Sequence, residues 1–406
     1  MAKTRPSWAR VSGPLAPYAE GFRDELSRRG YTPLTAAGHL RLVAHLSRWL
    51  AAEGLDVSAL TSSVVEAYFA QRRSAGYANE RTVRSLQPLL DYLRRVGAVP
   101  VALAAHPESA TEQLLARYKE YLTVERGLAA TTADLNVRLV RPFLLEHARQ
   151  HEGRVAIEEL TADDVRAFVV QQSAQRPRSI KRMVTALRSL LSFFYIEGSI
   201  DQPLAQAVPS PAGWTLAGLP KALSEAQVSS LLASCDRETV TGRRDLAILT
   251  LLARIGLRAG EVAALSLDDI DWHRGEFVVR GKGNRIAALP LPADVGDRVV
   301  DYLRHGRPRT TECRAVFVGV QAPHRALSST GITTVVAAAG RRAGLGTIGA
   351  HRLRHSAATA MLRAGGSLSE IGQILRHRRA LTTAIYAKVD IVALRTIARP
   401  WPEGDR

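Results

Sequence analysis

The chain has 406 residues, a formal net charge of +17 and 46% apolar residues, enough for two or three domains with ordinary cores. The basic excess points to a polyanionic partner, with nucleic acid first and a basic membrane-surface protein as the rival. No apolar run reaches the roughly 18 residues of a spanning helix, and residues 1–8 lack the apolar core of a signal peptide. The two cysteines, Cys235 and Cys313, lie far apart in no metal-like spacing, which fits a reduced, cytoplasmic protein.

Residues 1–14 are expected to be a flexible N-terminal segment. A repeat follows. Arg28-Arg29-Gly30-Tyr31, Thr35, Leu40, Val43 and Leu46 correspond at constant offset to Glu125-Arg126-Gly127-Leu128, Thr132, Val137, Val140 and Phe143. Leu60-Thr61 returns as Leu160-Thr161. Leu86, Leu89, Leu90, Leu93 and Gly97 return as Leu187, Leu190, Leu191, Phe194 and Gly198. The i, i+3, i+4, i+7 spacing marks amphipathic helices, and the glycines read as helix C-caps. Two tandem modules of about four helices each are predicted, over 15–104 and 109–208. Pro209, Pro211, Gly213, Gly218 and Pro220 make 209–221 a linker.

The pattern then becomes mixed. Ser224 opens a helix with Gln227 in the capping-box position. Residues 245–256 read as a buried helix. The runs 276–279 and 286–289 read as strands around Gly281-Lys282-Gly283-Asn284, a hairpin signal. Residues 292–304, 331–343, 351–363, 368–376 and 380–398 read as helices. Residues 222–406 are therefore expected to be mainly α with a small β-sheet, ending in a tail whose apolar stripe is Ile391, Leu394, Ile397 and Ala398.

Several residues in this last region carry chemistry. Arg258, in Gly256-Leu257-Arg258-Ala259-Gly260-Glu261, stands among Leu257, Val262 and Leu265. Its charge needs a partner, either Glu261 or a phosphate held by the guanidinium fork. Lys282 at the hairpin tip is either a solvated turn lysine or a proton donor to a leaving oxygen. In His351-Arg352-Leu353-Arg354-His355, residues 351, 354 and 355 share one helical face. The His351–His355 spacing allows zinc, but no Glu stands between them and Arg354 shares their face, which suits an anionic transition state better. His355 also fits a core histidine, and it is assigned no role. His377 reads as a helix C-terminal cap, and Tyr386 as a core aromatic or a nucleophile. Together they offer a phenol, cations for a phosphate and histidines that move protons. Breaking a phosphodiester through a covalent protein–DNA link requires that set.

Gly-Leu-Arg-x-x-Glu, a hairpin lysine, His-x-Leu-Arg-His, Leu-x-His and Ala-Ile-Tyr occur here in one order. That order and spacing resemble the tyrosine recombinase (phage integrase) family, strongly over about 222–398. The module at 109–208 resembles the family's helical core-binding (SAM-like) domain less specifically. The resemblance places Arg258, Lys282, His351, Arg354, His377 and Tyr386 on the catalytic positions. It implies attack by Tyr386 on a backbone phosphate and a 3′-phosphotyrosine link. Arg258, Arg354 and His377 would stabilise the phosphorane, Lys282 would be the general acid and His351 the base toward the phenol. It further implies double-stranded DNA as partner and a homotetramer on two DNA sites, with partner recombinases in some systems. No cofactor or metal is implied, and the tail is expected to dock on a neighbouring protomer. Arg81, Arg84, Arg178, Lys181, Arg182 and Arg188 are candidate DNA contacts. Arg376 departs from the family, which usually has glycine before the histidine. A type IB topoisomerase shares the chemistry, and a non-catalytic DNA-binding regulator shares the fold. The intact catalytic set disfavours the regulator.

Overall fold

The computed structural model describes residues 10–77, 82–100, 109–175, 179–210, 222–281, 285–309, 311–376, 383 and 386. The chain divides into two compact units, one of residues 101–215 and one of 1–100 with 216–406.

In the second of these, α1 (Ala19–Arg28), α2 (Pro33–Ala52), α3 (Ser62–Ser74) and α4 (Val83–Arg95) bury a core that includes Phe22, Leu46, Phe69 and Leu93. The Thr32 hydroxyl accepts from the Thr35 amide at 3.3 Å and Pro33 follows it, a start in which the missing proline amide costs nothing. Glu25 on α1 is buried and takes Arg29 at 2.5 Å and Arg95 at 2.6 Å. This helical group touches the C-terminal part of its unit through Arg28 with Glu312 and through Arg325 with Asp91 at 3.4 Å.

The other unit contains α5 (Ala110–Thr123), α6 (Ala130–Gln150), α7 (Ala162–Gln175) and α8 (Ile180–Ile196). Tyr118, Leu144, Val165, Leu187 and Phe194 fill its core. The two helical groups repeat one order: two helices, a short 3₁₀ turn, two helices. Gly97 and Gly198 end the fourth helix of each with φ of 72° and 73°, the left-handed conformation that stops a helix at least cost in glycine.

The C-terminal part carries the mixed structure that the sequence predicts. The helix α9 (Glu225–Ala233) starts at the Ser224–Gln227 capping box. The next helix, α10 (Val240–Thr250), begins five residues earlier than its apolar run, because the Thr239 hydroxyl accepts from the Gly242 amide at 3.0 Å. It runs on as one π-helical stretch, residues 251–255, to Gly256. A short helix that periodicity does not reveal follows, α11 (Ala259–Ala264). The strands β1 (Ile270–Asp271), β2 (Glu276–Gly281) and β3 (Arg285–Pro290) form an antiparallel sheet in that order, with Ile270 and Leu289 both paired with Phe277. Then come α12 (Ala293–His305), α13 (Ser329–Arg342), α14 (Ala350–Arg363) and α15 (Leu368–Ile374). Leu249, Leu252, Val262, Phe277, Tyr302 and Ile332 belong to one buried core beneath them. The fold is thus mainly helical with one small antiparallel sheet, as expected. Of the predicted helix 380–398 only Thr383 and Tyr386 are described, and the apolar stripe of the tail lies outside the described residues. No described helix is long and apolar enough to cross a membrane.

Gly256 ends the π-helical stretch in the left-handed conformation. Its φ is 71°, and a Cβ there would lie 2.7 Å from Leu375 Cδ2 and 3.3 Å from the Ala357 Cβ. Gly256→Ala should therefore lower the stability of this unit by about 1–3 kcal/mol, from the strained φ and the clash together. Urea denaturation measures it, and an unchanged midpoint would show that the π-helical end relaxes freely.

Candidate active site

Three chain segments meet around one buried guanidinium. Arg354 lies in the second turn of α14 and is 1% exposed. It donates to the Gly256 carbonyl at 2.6 Å and to the Leu375 carbonyl. A buried charge must be hydrogen-bonded, and these carbonyls end the π-helical stretch and α15, so the arginine holds both chain ends against α14. Burial, with repulsion from Arg258, pulls its pKa down to about 10. It remains a cation near neutral pH.

Arg258 is the N-cap residue of α11. Its Nη1 donates to Glu261 Oε1 at 2.7 Å, and its backbone amide donates to Glu261 Oε2 at 2.8 Å. The partner that the sequence offers is therefore present. The arginine side chain is nevertheless 39% exposed, and a guanidinium has five donors, so this pairing leaves the fork able to hold an anion. Burial raises the Glu261 pKa, but the Arg258 amide and the Arg376 and Arg258 guanidiniums outweigh it and the net shift is downward. The carboxylate is charged. Arg376, just past α15, also donates to it at 2.7 Å.

Arg258, Glu261, Ser329, Thr333, His351 and Arg354 line a cleft of about 600 Å³. Partial burial, then Arg354 and Arg258, push the His351 pKa down. Its ring lies 4.5 Å from that of His355, edge to face.

Tyr386 is 1% exposed and packs with Ala358, Ile371 and Leu375. Its hydroxyl lies 2.9 Å from His355 Nδ1. Burial, then His351 and Arg354, pull the His355 pKa down to about 4. Burial raises the phenol's own pKa and Arg354 opposes that. Both groups are therefore neutral near pH 7. In the Nε2–H tautomer of the imidazole, Nδ1 accepts the phenolic proton. His355, which the sequence reading gave no role, lies against the phenol, one helical turn beyond His351, to which the resemblance gave the role of base. The i, i+4 spacing of the two histidines held that information, because both fall on the face that also carries Arg354.

The structure thus brings Arg258, His351, Arg354 and Tyr386 together and adds Glu261, His355 and Arg376. Lys282 and His377 lie outside the described residues, as do Arg81 and Arg178. Arg84, Lys181 and Arg182 are exposed. Arg188 donates to the Val208 carbonyl and the Ser210 hydroxyl, both at 2.7 Å, so its side chain is already engaged within its own unit.

The histidine gives a pH prediction. An unfolded imidazole takes a proton near about pH 6.5, whereas folded His355 takes one only near pH 4. The unfolded chain therefore binds more protons between those values, and stability falls as the pH falls through that window. The melting temperature should drop between about pH 7 and about pH 5, and His355→Asn should flatten that drop. Histidine NMR should place the His355 titration below those of the exposed histidines. A titration near the ordinary value would contradict the burial assigned to this ring.

Residues 221–391 match the model of the phage integrase family, and residues 115–198 match that of the phage integrase N-terminal SAM-like domain. A putative integrase/recombinase y4rA of Sinorhizobium fredii is 41% identical over 396 residues, covering 96% of this chain and 95% of the relative. A tyrosine recombinase XerD of Mycobacterium tuberculosis is 31% identical, covering 69% of this chain and 94% of its own. Among solved structures, the XerH site-specific recombinase in a post-cleavage complex with palindromic difH substrate matches with a TM-score of 0.55 at 17% identity. That match covers 83% of this chain and 95% of that one. A lambda integrase tetramer bound to a Holliday junction matches with a TM-score of 0.51 at 15% identity, covering 77% of this chain and 86% of that one. With the cleft, the buried arginine and the phenol in place, the kinship over nearly the whole length is decisive: the chain belongs to the tyrosine recombinase (phage integrase) family.

Proposed function

We propose that this chain cuts and rejoins double-stranded DNA at specific sites through a 3′-phosphotyrosine intermediate. One observation carries the reading: the Tyr386 hydroxyl hydrogen-bonds a neutral histidine in the immediate neighbourhood of a buried arginine. A phenol is a weak nucleophile until a base removes its proton, and His355 stands where that proton leaves.

In the reaction, the Tyr386 oxygen attacks the scissile phosphorus and its proton passes to His355. Arg258 and Arg354 take up the charge that builds on the non-bridging oxygens, which is where preorganised donors lower a barrier most. His351, on the cleft wall, and His377 donate further hydrogen bonds. The bond from phosphorus to the 5′ oxygen breaks, and Lys282 protonates that oxygen as general acid. The 5′-hydroxyl of a second strand then attacks the phosphotyrosine, the link breaks and the phenol regains a proton. Each step exchanges one phosphate ester for another, so the energetics require neither a nucleotide cofactor nor a divalent metal.

The modules at 15–104 and 109–208 grip the duplex beside the catalytic region at 222–406, with 209–221 joining them. Arg81, Arg84, Arg178, Lys181, Arg182 and Arg188 contact phosphates. The reading extends to four protomers on two DNA sites, exchanging strands through a junction in the cytoplasm. It is supported by the family and by a relative solved as a tetramer on a Holliday junction.

A nicked suicide duplex, which traps the covalent intermediate, tests this reading. Tyr386→Phe should form no adduct on a denaturing gel while binding DNA as the natural chain does. His355→Ala should form it roughly 100-fold more slowly, the usual loss for a general base. Both rates should be unchanged by excess EDTA. Adduct persisting in Tyr386→Phe would remove the tyrosine from its role. Loss of activity in EDTA, restored by zinc or magnesium, would instead assign the His351–His355 pair to a metal.

A further inference from the structure

Arg376 follows α15 with φ of 55°, in the left-handed region that favours glycine. A residue whose task is only to stop a helix would be glycine there, or asparagine. This arginine instead turns its side chain inward, where it is 15% exposed. Its Nη2 donates to Glu261 Oε2 at 2.7 Å and its Nη1 to the Ile374 carbonyl at 3.0 Å. The same Glu261, 5% exposed, takes Arg258 Nη1 on its other oxygen. The Leu375 carbonyl, one residue before Arg376, takes Arg354. A single dipeptide, Leu375-Arg376, is thus bonded to both sides of the cleft.

We propose that Arg376 is a positioning residue for strand cleavage: by occupying Glu261 Oε2 it keeps Arg258 and Arg354 facing one phosphate. The inference rests on the strand-cleavage reading above. Glu261 offers one carboxylate to two guanidiniums. While Arg376 holds Oε2, Arg258 has one side-chain bond to Glu261, through Oε1, and its remaining donors stay available to an anion. Without Arg376, Oε2 keeps only the Arg258 backbone amide at 2.8 Å, and the carboxylate's charge shifts toward the Arg258 guanidinium, its one remaining cationic partner. That shift would withdraw Arg258 donors from the cleft and neutralise the charge meant for the phosphate. The end of α15 would also lose its tie to α11. Glycine keeps the backbone conformation and loses the tie, so a substitution that relieves strain should still harm the reaction.

The natural chain, Arg376→Gly and Arg376→Lys are compared on a nicked suicide duplex selected from a DNA library by the natural chain. Adduct formation is followed at saturating DNA, alongside DNA affinity and thermal melting. Arg376→Gly, compared at equal folded fraction, should bind DNA within about twofold, yet form adduct at least about tenfold more slowly, as displaced catalytic groups do. Arg376→Lys, which still reaches Glu261 with a cation, should recover most of that rate. Should the glycine variant melt lower, the lysine variant compared at equal folded fraction decides the matter. Adduct formation at the natural rate in Arg376→Gly would overturn the proposal and leave Arg376 as a helix stop. A lysine variant as slow as the glycine variant would also overturn it. A loss seen wholly as weaker DNA binding would instead make Arg376 a DNA contact. Absence of adduct in the natural chain itself would overturn the strand-cleavage reading along with this one.

Discussion

A guanidinium out of reach of water constrains the catalytic region more than any other group. Arg354 keeps a positive charge at a point that solvent does not reach, and an ion there is tolerated only if protein dipoles replace its hydration. The Gly256 and Leu375 carbonyls do this. Each such bond to a charged donor contributes about 1.5–3 kcal/mol. Each also fixes a chain end. The π-helical stretch must stop at Gly256 with its carbonyl turned toward α14, which presents Arg258 two residues later. The last residues of α15 must point their carbonyls the same way. Packing, backbone conformation and charge placement are satisfied by one side chain.

The electrostatics follow from the same arrangement. Among the described residues, the guanidiniums of Arg258, Arg354 and Arg376 share the region with the buried carboxylate of Glu261. Burial first, and then the neighbouring cations, hold His351 and His355 in their neutral forms, while the Arg258 amide with the Arg376 and Arg258 guanidiniums keeps Glu261 ionised against its burial. A neutral His355 is an acceptor for the Tyr386 proton, which a protonated one would not be. The cleft therefore has cations where an anion would enter, and an unprotonated base, His355, lies against the phenol where its proton would leave. A phosphodiester would supply the missing negative charge, so substrate binding and electrostatic relief coincide.

Much of this was legible in the sequence. The helical periodicity around Leu46 and Phe143, the capping box at Ser224 and the hairpin between Phe277 and Leu289 each follow a local rule, and each appears in the fold. The ordered motifs gave the family. What local rules could not give were the contacts made across the chain. The helix α11 was hidden for a different reason: at six residues it is too short for periodicity, although the Glu261 carboxylate accepting from the Arg258 amide that starts it is a local contact. The contact of His355 with Tyr386 joins residues 31 apart. The inward turn of Arg376 depends on a carboxylate 115 positions earlier. A departure from the expected glycine was visible, but its meaning needed the partner.

The account stands on Tyr386 as the atom that joins protein to DNA, and mass spectrometry of the trapped adduct tests that most directly. After nuclease trimming and proteolysis, the account predicts a nucleotide carried on Tyr386 through its 3′-phosphate, with a free 5′-hydroxyl on the released strand. A nucleotide on any other residue, or a link through a 5′-phosphate, would contradict it.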